Sequence, residues 1–374
     1  MAAPGRFAGH VPAQPSVVST MRAWVAGRFG EPLDVLKLET VDAPEVAAGH
    51  ILVRVLAATL NKNEIDGIRG VYASMPTPAP FIPGFEVYGV VEQAGAGAEA
   101  WIGKHVIGMP RGGHGGYAEY AVLPTVMAFE VPAALPARTA SALFWPFHLA
   151  WLALFTRAHL QRDETVLIHA GAGGLGSAAI QLAVHAGARV IATAGTEEKL
   201  GLCRDLGADV AINYRTTDFV HAVLDATHGR KVDVALDSVG GEVLEQTWRC
   251  LNYGARHIIL GFSSGIEQED ERPVLLRQLI FGNFSMVGVL MTYVEDRVLE
   301  SASDVSGVAY PQVNFNMPSR ALGEEIHARI LDLLARKRIR PIVGLEVGFE
   351  ELPQAIDRFD RRETWGRVIV HTTR

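Results

Sequence analysis

Between Met21 and about Phe129 the apolar positions come in short runs broken by glycine and proline. The segments HILVRVLAATL (50–60), VYGVVEQAG (87–95), HVIGM (105–109) and YAEYAVL (117–123) alternate or stay apolar over strand lengths. They predict a β-rich unit without a repeat. From about Thr139 the rhythm changes. TVLIHAG, RVIATAG, DVAINY, VDVALDSVG and RHIILGF read as near-continuous apolar strands. Between them GSAAIQLAVHAGA, TEEKLGLCRDLGA, DFVHAVLDATHG and GEVLEQTWRCLNYGA read as amphipathic helices. Apolar strands separated by such helices predict a parallel sheet covered on both faces, and a sixth strand at FSMVGVL makes it a doubly wound α/β unit.

After Met291 the alternation stops. The segment VEDRVLESASDVSGVAYPQVNFNMPSR is irregular and reads as a surface excursion. A helix (322–337), the strand-like IRPIVGLEVGF, a helix (350–360) and the strand GRVIVHT follow. This closing part has too little core to stand alone, so it is expected to complete the N-terminal β unit. The predicted organisation is a discontinuous domain, 21–140 and 291–374, with the α/β domain 141–290 inserted. Residues 1–20 are rich in Ala, Pro and Gly and are expected to be a flexible extension.

Composition narrows the classes further. Hydrophobic residues at 49% and charged residues at 20% suit a globular chain with a large core. A net charge of −7 offers no general attraction for nucleic acid or an anionic membrane, so neither is expected as a partner. No apolar run approaches the roughly 20 residues of a membrane span. The basic stretch Ala335–Arg340 (ARKRIR) follows an amphipathic pattern and reads as cations at a helix C-terminus. Cys203 and Cys250 are too few for a disulfide framework or a cysteine-rich zinc site, and read as core fillers. A reducing cytoplasm fits that usage.

The sharpest chemical signal lies between the first α/β strand and its helix. Gly171-Ala-Gly173-Gly174-Leu175-Gly176 is a G-x-G-x-x-G turn in the context that the dinucleotide fingerprint requires. One glycine makes the turn, another admits a pyrophosphate against the backbone, and a third allows close helix–strand packing. About twenty residues on, NAD-binding proteins place an acid to hold the ribose 2′-hydroxyl. Here the strand ends in Ala194, Gly195 and Thr196. Without a carboxylate nothing repels a 2′-phosphate. Lys199, one helical turn on, can supply a cation, and Tyr214 and Arg215 at the next strand end are further candidates. The pattern points to NADP(H). Glu197 and Glu198 suit a helix N-terminus and read as solvent-facing.

The order of motifs carries a resemblance from Met21 to the C-terminus. NKNEIDGIRGVY (61–72), PFIPGFEVYGVVEQAG (80–95), GGYAEYAVLP (115–124), HAGAGGLG (169–176), AGTEEK (194–199), INYR (212–215) and LDSVGG (236–241) are similar to the medium-chain dehydrogenase/reductase superfamily, specifically its zinc-free quinone oxidoreductase, or zeta-crystallin-like, branch. The resemblance implies a Rossmann domain inserted in a GroES-like catalytic domain, and a homodimer through sheet edges. Zinc-dependent members carry a Cys ligand near the NKNEIDGIRG segment and a GHE triplet. Here that segment has no Cys or His, and the triplet is Gly84-Phe85-Glu86. A catalytic zinc needs three protein ligands, so no metal is expected; His105 and His114 lack a second ligand at suitable spacing. His114 reads as an exposed loop residue.

Without a Lewis acid, the natural chemistry is hydride delivery to a small, electron-poor molecule such as a quinone or an α,β-unsaturated carbonyl compound. Tyr72 also matches the catalytic tyrosine of 2-enoyl thioester reductases; it either protonates or holds substrate, or packs under its loop. Asn61 resembles an asparagine near the nicotinamide end, or is a turn former. His148 stands where many relatives have a threonine that meets the nicotinamide amide. It either replaces that hydrogen bond, acts as a second acid near pH 7, or is structural. Trp145, Phe147 and Phe81 either wall a flat acceptor or belong to the core. The resemblance places Ser238 and Val239 beside the adenosine, Gly261, Phe262 and Ser263 near the nicotinamide ribose, and Leu290 and Met291 at the carboxamide. It places Arg362, or its neighbour Arg361, at the 2′-phosphate. Two rival readings stay open: a 2-enoyl thioester reductase, and a non-catalytic NADPH-binding protein.

Overall fold

The computed structural model describes residues 18–71, 77–264, 276–295 and 316–372. Strands β1 (Thr20–Ala26) and β2 (Leu36–Asp42) form an antiparallel pair. Next come β3 (His50–Thr59), β4 (Glu86–Ala94), β5 (His105–Gly108), β6 (Tyr120–Pro124) and β7 (Ala128–Glu130). The parallel unit contributes β8 (Thr165–Ile168), β9 (Arg189–Ala194), β10 (Val210–Asn213), β11 (Val232–Asp237), β12 (Leu251–Ile259) and β13 (Ser285–Gly288). The chain closes with β14 (Val343–Gly348) and β15 (Arg367–His371).

β15 returns to pair antiparallel with β3, so one seven-stranded sheet, ordered β14-β15-β3-β4-β5-β7 with β6 on β3, takes strands from both ends of the chain. The six parallel strands run β10-β9-β8-β11-β12-β13. That is the Rossmann order, and it reverses direction between β8 and β11. Ligands of such sheets enter at the crevice beyond that reversal, which is where the glycine turn lies.

Two elements depart from the periodicity. GEVLEQTWRCLNYGA is not one helix: the helix stops at Trp248 and β12 starts at Leu251, which pairs with Val232 across an irregular register before regular pairing resumes at Arg256. A helical run from Ala137 to Arg157, wound as a π-helix over Leu152–Arg157, joins the two sheets. By length and composition it could cross a membrane, but 72% of its most apolar window is buried inside the protein. Its Phe144, Phe147, Ala150 and Ala153 share one core with Phe85 and Phe129 of the β unit and Ile168 and Ile180 of the Rossmann unit. Continuous burial on all sides removes the one-sided apolar stripe that would have marked it as a globular helix.

Candidate functional site

At the sheet reversal the glycine turn leaves β8 and opens the helix Gly174–Ala186. Gly171 N–H donates to the Thr193 carbonyl (2.9 Å). At Gly176 any Cβ would strike the Ala170 carbonyl, so only glycine lets the helix start this close to the strand. The helix has no acidic residue in its first turn and no side-chain cap. Gly174 lies beside the parallel bridge between Gly173 and Gly366, whereas the N–H groups of Leu175 and Gly176 precede the first intrahelical bonds and keep their capacity for an anion. From the other unit, Gly366 N–H donates to the Ala172 carbonyl (2.7 Å) and clamps the turn.

β9 ends at Ala194, and the corner beyond it is cationic. Thr196 caps the following helix by accepting from Lys199 N–H (3.3 Å). The Lys199 ammonium donates to the Arg362 carbonyl (2.6 Å). Tyr214 and Arg215 lean over Gly195, where a Cβ would lie 2.8 Å from the phenol oxygen and 3.0 Å from Arg215 Nε. Burial, then the Arg215 and Arg362 charges, push the Lys199 ammonium below its ordinary pKa, against the pull of Glu198. Glu197 instead pairs with Arg204, and both glutamates are exposed. Of the two neighbouring arginines, Arg361 pairs with Asp357 (3.2 Å). Arg362, held at φ 60°, donates to the Ser263 carbonyl (3.3 Å) and so faces the crevice. Cations gathered around a strand end without a carboxylate repel one another, and an anionic ligand relieves that repulsion.

The opposite rim is built on Asp237. One of its carboxylate oxygens accepts from the N–H groups of Val239 (2.7 Å) and Gly240 (3.0 Å). Ser263 N–H donates to the Ser238 carbonyl (3.1 Å), which ties the 238–240 loop to Gly261–Ser263. The Phe262 ring lies 2.8 Å from where a Gly240 Cβ would be. Just after β13, Met291 is buried and Leu290 is 42% exposed.

Beneath the turn lies a buried polar cluster. Glu86, at the start of β4, accepts from Thr59 Oγ1 (2.7 Å) and from Trp145 N–H (2.9 Å). Arg367, at the start of β15, donates to Glu86, Thr59 and, at 3.0 Å, to the Asn61 carbonyl oxygen. Its Cδ lies 2.6 Å from where a Gly174 Cβ would be, so this one side chain spans from the glycine turn to Asn61. A guanidinium occupies the place beside Glu86 that a metal cation would need, and Phe85 offers no ligand. Among the described residues no group of three His, Cys, Asp or Glu could hold a metal ion. These residues do not fit a catalytic zinc.

Two donors in this cluster are buried without a partner: Asn61 Nδ2 and Arg367 Nε. Unpaired buried donors are costly, and their position beside the glycine turn suits a cofactor oxygen. Asn61 begins the helix Lys62–Arg69, and its N–H donates to Glu64 Oε2 (3.0 Å). Glu64 also accepts from Phe85 N–H (2.6 Å) and the Tyr117 hydroxyl. Burial nevertheless pushes its carboxyl up to about 7. Tyr72 lies outside the described residues.

Of the three readings of His148, the geometry supports the structural one and not the other two. His148 is fully buried, and both ring nitrogens are engaged, Nδ1 by the Tyr293 hydroxyl (3.0 Å) and Nε2 by His327 Nδ1 (3.2 Å). It therefore has no nitrogen left for the nicotinamide amide. Burial, then the neighbouring His327 and Arg320, push its pKa well below the usual value, so it is not an acid near pH 7. His114 is likewise not an exposed residue: it is half-buried against Phe81, with an unpartnered Nδ1. Phe147 belongs to the core, Trp145 packs edge-on against Phe85 (4.4 Å between centroids), and Phe81 pairs with β1 through Ala26.

Arg367, Thr59, Glu64, Tyr293 and His327 were missed from sequence. A signal existed for Arg367, a single charge inside the apolar run WGRVIVH; such a residue in a buried strand requires a partner.

Two family models match the chain, one described as alcohol dehydrogenase GroES-like domain over residues 47–133 and one as zinc-binding dehydrogenase over 174–305. The quinone oxidoreductase of Pongo abelii is 32% identical over 248 residues, 66% of this chain and 75% of that one. A highly reducing polyketide synthase of Arthrinium phaeospermum is 36% identical over 329 residues, 86% of this chain but 12% of that much longer one. Among solved structures, a mycobacterial protein complexed with NADPH superposes with a TM-score of 0.79 at 25% identity, covering 94% of this chain and 100% of that one.

Proposed function

Since the chain belongs to the quinone oxidoreductase-like family of medium-chain dehydrogenase/reductases, and is an oxidoreductase, we propose that it is an NADPH-dependent reductase of small electrophilic molecules, quinones or α,β-unsaturated carbonyl compounds, working without a metal. The observation that carries this reading is the acid-free end of β9 ringed by Lys199, Tyr214, Arg215 and Arg362. These residues would hold the 2′-phosphate. The Gly171–Gly176 turn would hold the pyrophosphate, with Arg367 and Asn61 below it. Ser238 and Val239 would line the adenosine, Gly261, Phe262 and Ser263 the ribose, and Leu290 and Met291 the carboxamide. Bound NADPH supplies the hydride. The protein's part is to fix the geometry of transfer and exclude water, which lowers the barrier without a Lewis acid. Tyr72 remains the candidate proton donor.

The units that do this are a catalytic domain of residues 21–140 and 291–374 and a cofactor domain of 141–290. A homodimer through the β13 edge is part of the same reading.

The identity with a polyketide synthase favours a second reading, in which the acceptor is a 2-enoyl thioester. The test is NADPH and NADH oxidation against quinones, simple enones and 2-enoyl-CoA esters, each repeated with Tyr72→Phe. Quinone or enone turnover with NADPH, indifferent to the substitution, is the expected result. Enoyl-ester turnover that collapses without the hydroxyl moves the protein to the second reading. Binding of NADPH with no turnover of any acceptor makes it a non-catalytic binder.

A further inference from the structure

The buried chain Tyr293, His148, His327 has a direction that its terminus dictates. His327 Nε2 lies 2.8 Å from the Glu130 carbonyl, which can only accept, so Nε2 carries the hydrogen. Burial pushes His327 down to about 4, so its ring is neutral and Nδ1 is bare. Nδ1 then accepts from His148 Nε2–H, which leaves His148 Nδ1 bare in a neutral ring. That nitrogen accepts the Tyr293 hydroxyl hydrogen. Each tautomer follows from the one before. The chain is boxed by Phe129 and Phe144, whose rings lie 4.8 Å and 4.9 Å from His148, with Arg320 stacked 4.0 Å over Phe129.

Its first two members belong to different parts of the site. Tyr293 follows Met291 by two residues in the strap that leaves β13 and crosses to the other unit, where Tyr293 N–H meets Met127 Sδ (3.1 Å). His148 sits one turn into a helix whose Trp145 N–H is pinned to Glu86, and Glu86 is held by the Arg367 that packs on the glycine turn. We propose that Tyr293 and His148 are positioning residues: the one-way hydrogen-bond chain locks the strap 289–294 against the helix so that Leu290 and Met291 hold the nicotinamide ring in register for hydride transfer. This rests on the cofactor reading above. Neither side chain touches the reacting atoms, and the Tyr293 hydroxyl hydrogen is committed to His148.

The adenosine half of the cofactor is held elsewhere, at Lys199 and the glycine turn, so binding and positioning separate. The experiment compares His148→Leu, His148→Gln and Tyr293→Phe with the unaltered protein. NADPH dissociation constants come from fluorescence titration, and single-turnover hydride transfer uses 1,4-naphthoquinone and an enone as acceptors. Glutamine keeps the direction of the chain, because its oxygen can accept from Tyr293 and its NH2 can donate to His327. His148→Leu and Tyr293→Phe are expected to slow hydride transfer about tenfold or more while NADPH affinity changes less than about threefold, with His148→Gln recovering most of the rate. Nitrogen-15 spectra should show His148 and His327 both protonated at Nε2. Equal losses in affinity and rate, or a glutamine variant no better than leucine, overturn the positioning role. Failure of the unaltered protein to bind NADPH instead overturns the cofactor reading, and the inference falls with it.

Discussion

Arg367 and Glu86 form an ion pair with both side chains buried, 7% and 1% exposed, between two strands that lie 281 residues apart in sequence. Glu86 is held at the place where the zinc-dependent relatives put a metal-binding triplet, and Arg367 links it to the glycine turn. The pair joins β4 and β15 of one sheet, and the Arg367 side chain carries that sheet's contact to the glycine turn of the other unit.

Removing one partner strands the other charge in the core, at a cost of about 3–5 kcal/mol. Arg367→Met should therefore lower the melting temperature strongly, and more than Glu86→Gln, which leaves a neutral acceptor for the guanidinium. Calorimetry on the three proteins checks this. Zinc titrated into the unaltered protein should neither raise its melting temperature nor bind in stoichiometric amount. A one-to-one zinc isotherm would return Glu86 to the role of a ligand.

At the cationic corner, Lys199→Ala should weaken NADPH by roughly one to two orders of magnitude and NADH little, as expected for loss of a charge-assisted bond to a phosphate. Arg215→Ala should act in the same direction, since its guanidinium lies over Gly195 beside the Tyr214 hydroxyl. The ratio of kcat/KM for the two coenzymes measures it. Equal effects on both coenzymes would remove the phosphate assignment.

Much of this was legible beforehand, and the reason is local. The glycine turn, the acid-free strand end and the apolar rhythm are each written within about thirty residues, so spacing alone brings Gly171–Gly176, Lys199 and Tyr214 to one edge of a parallel sheet. Arg367 and Glu86 meet only because β15 returns to β3, a pairing that no local period reports. The sequence leaves His148 open between a catalytic and a structural role, because its partners Tyr293 and His327 arrive from 145 and 179 residues away. The strand β12 was cut short in sequence because its irregular start at Leu251–Gly254 looks like the end of a helix.

Buried ionisable groups set the response to acid. Burial lowers His169 and His327 from 6.5 to about 4, and holds His148 well below its ordinary value. Between those values the unfolded chain binds protons that the folded chain refuses. The stability these histidines contribute is complete above pH 6.5 and is lost as pH falls toward 4. Glu64 works the other way: raised from 4.5 to about 7, its contribution is complete below 4.5 and lost as pH rises through 7. Three histidines outweigh one carboxyl, so the melting temperature should fall from pH 6.5 to 4, and Glu64→Gln should make that fall steeper. A flat profile would mean that these histidines are not held neutral.

β13 is the last strand of the parallel sheet and pairs only with β12 among the described residues. Just before it the helix Leu276–Gly282 turns Leu276, Ile280 and Phe281 outward, 70%, 69% and 77% exposed. An unpaired strand edge beside exposed apolar side chains is a self-pairing surface, and a two-fold axis there would join two sheets and cover both patches. Light scattering should give a dimer for the unaltered protein and a monomer for the Ile280→Asp/Phe281→Asp variant. Because these side chains are mostly exposed, the variant should keep its NADPH affinity. Loss of cofactor binding together with dimerisation would instead place the patch in the fold of each subunit, and a monomeric unaltered protein would remove the dimer altogether.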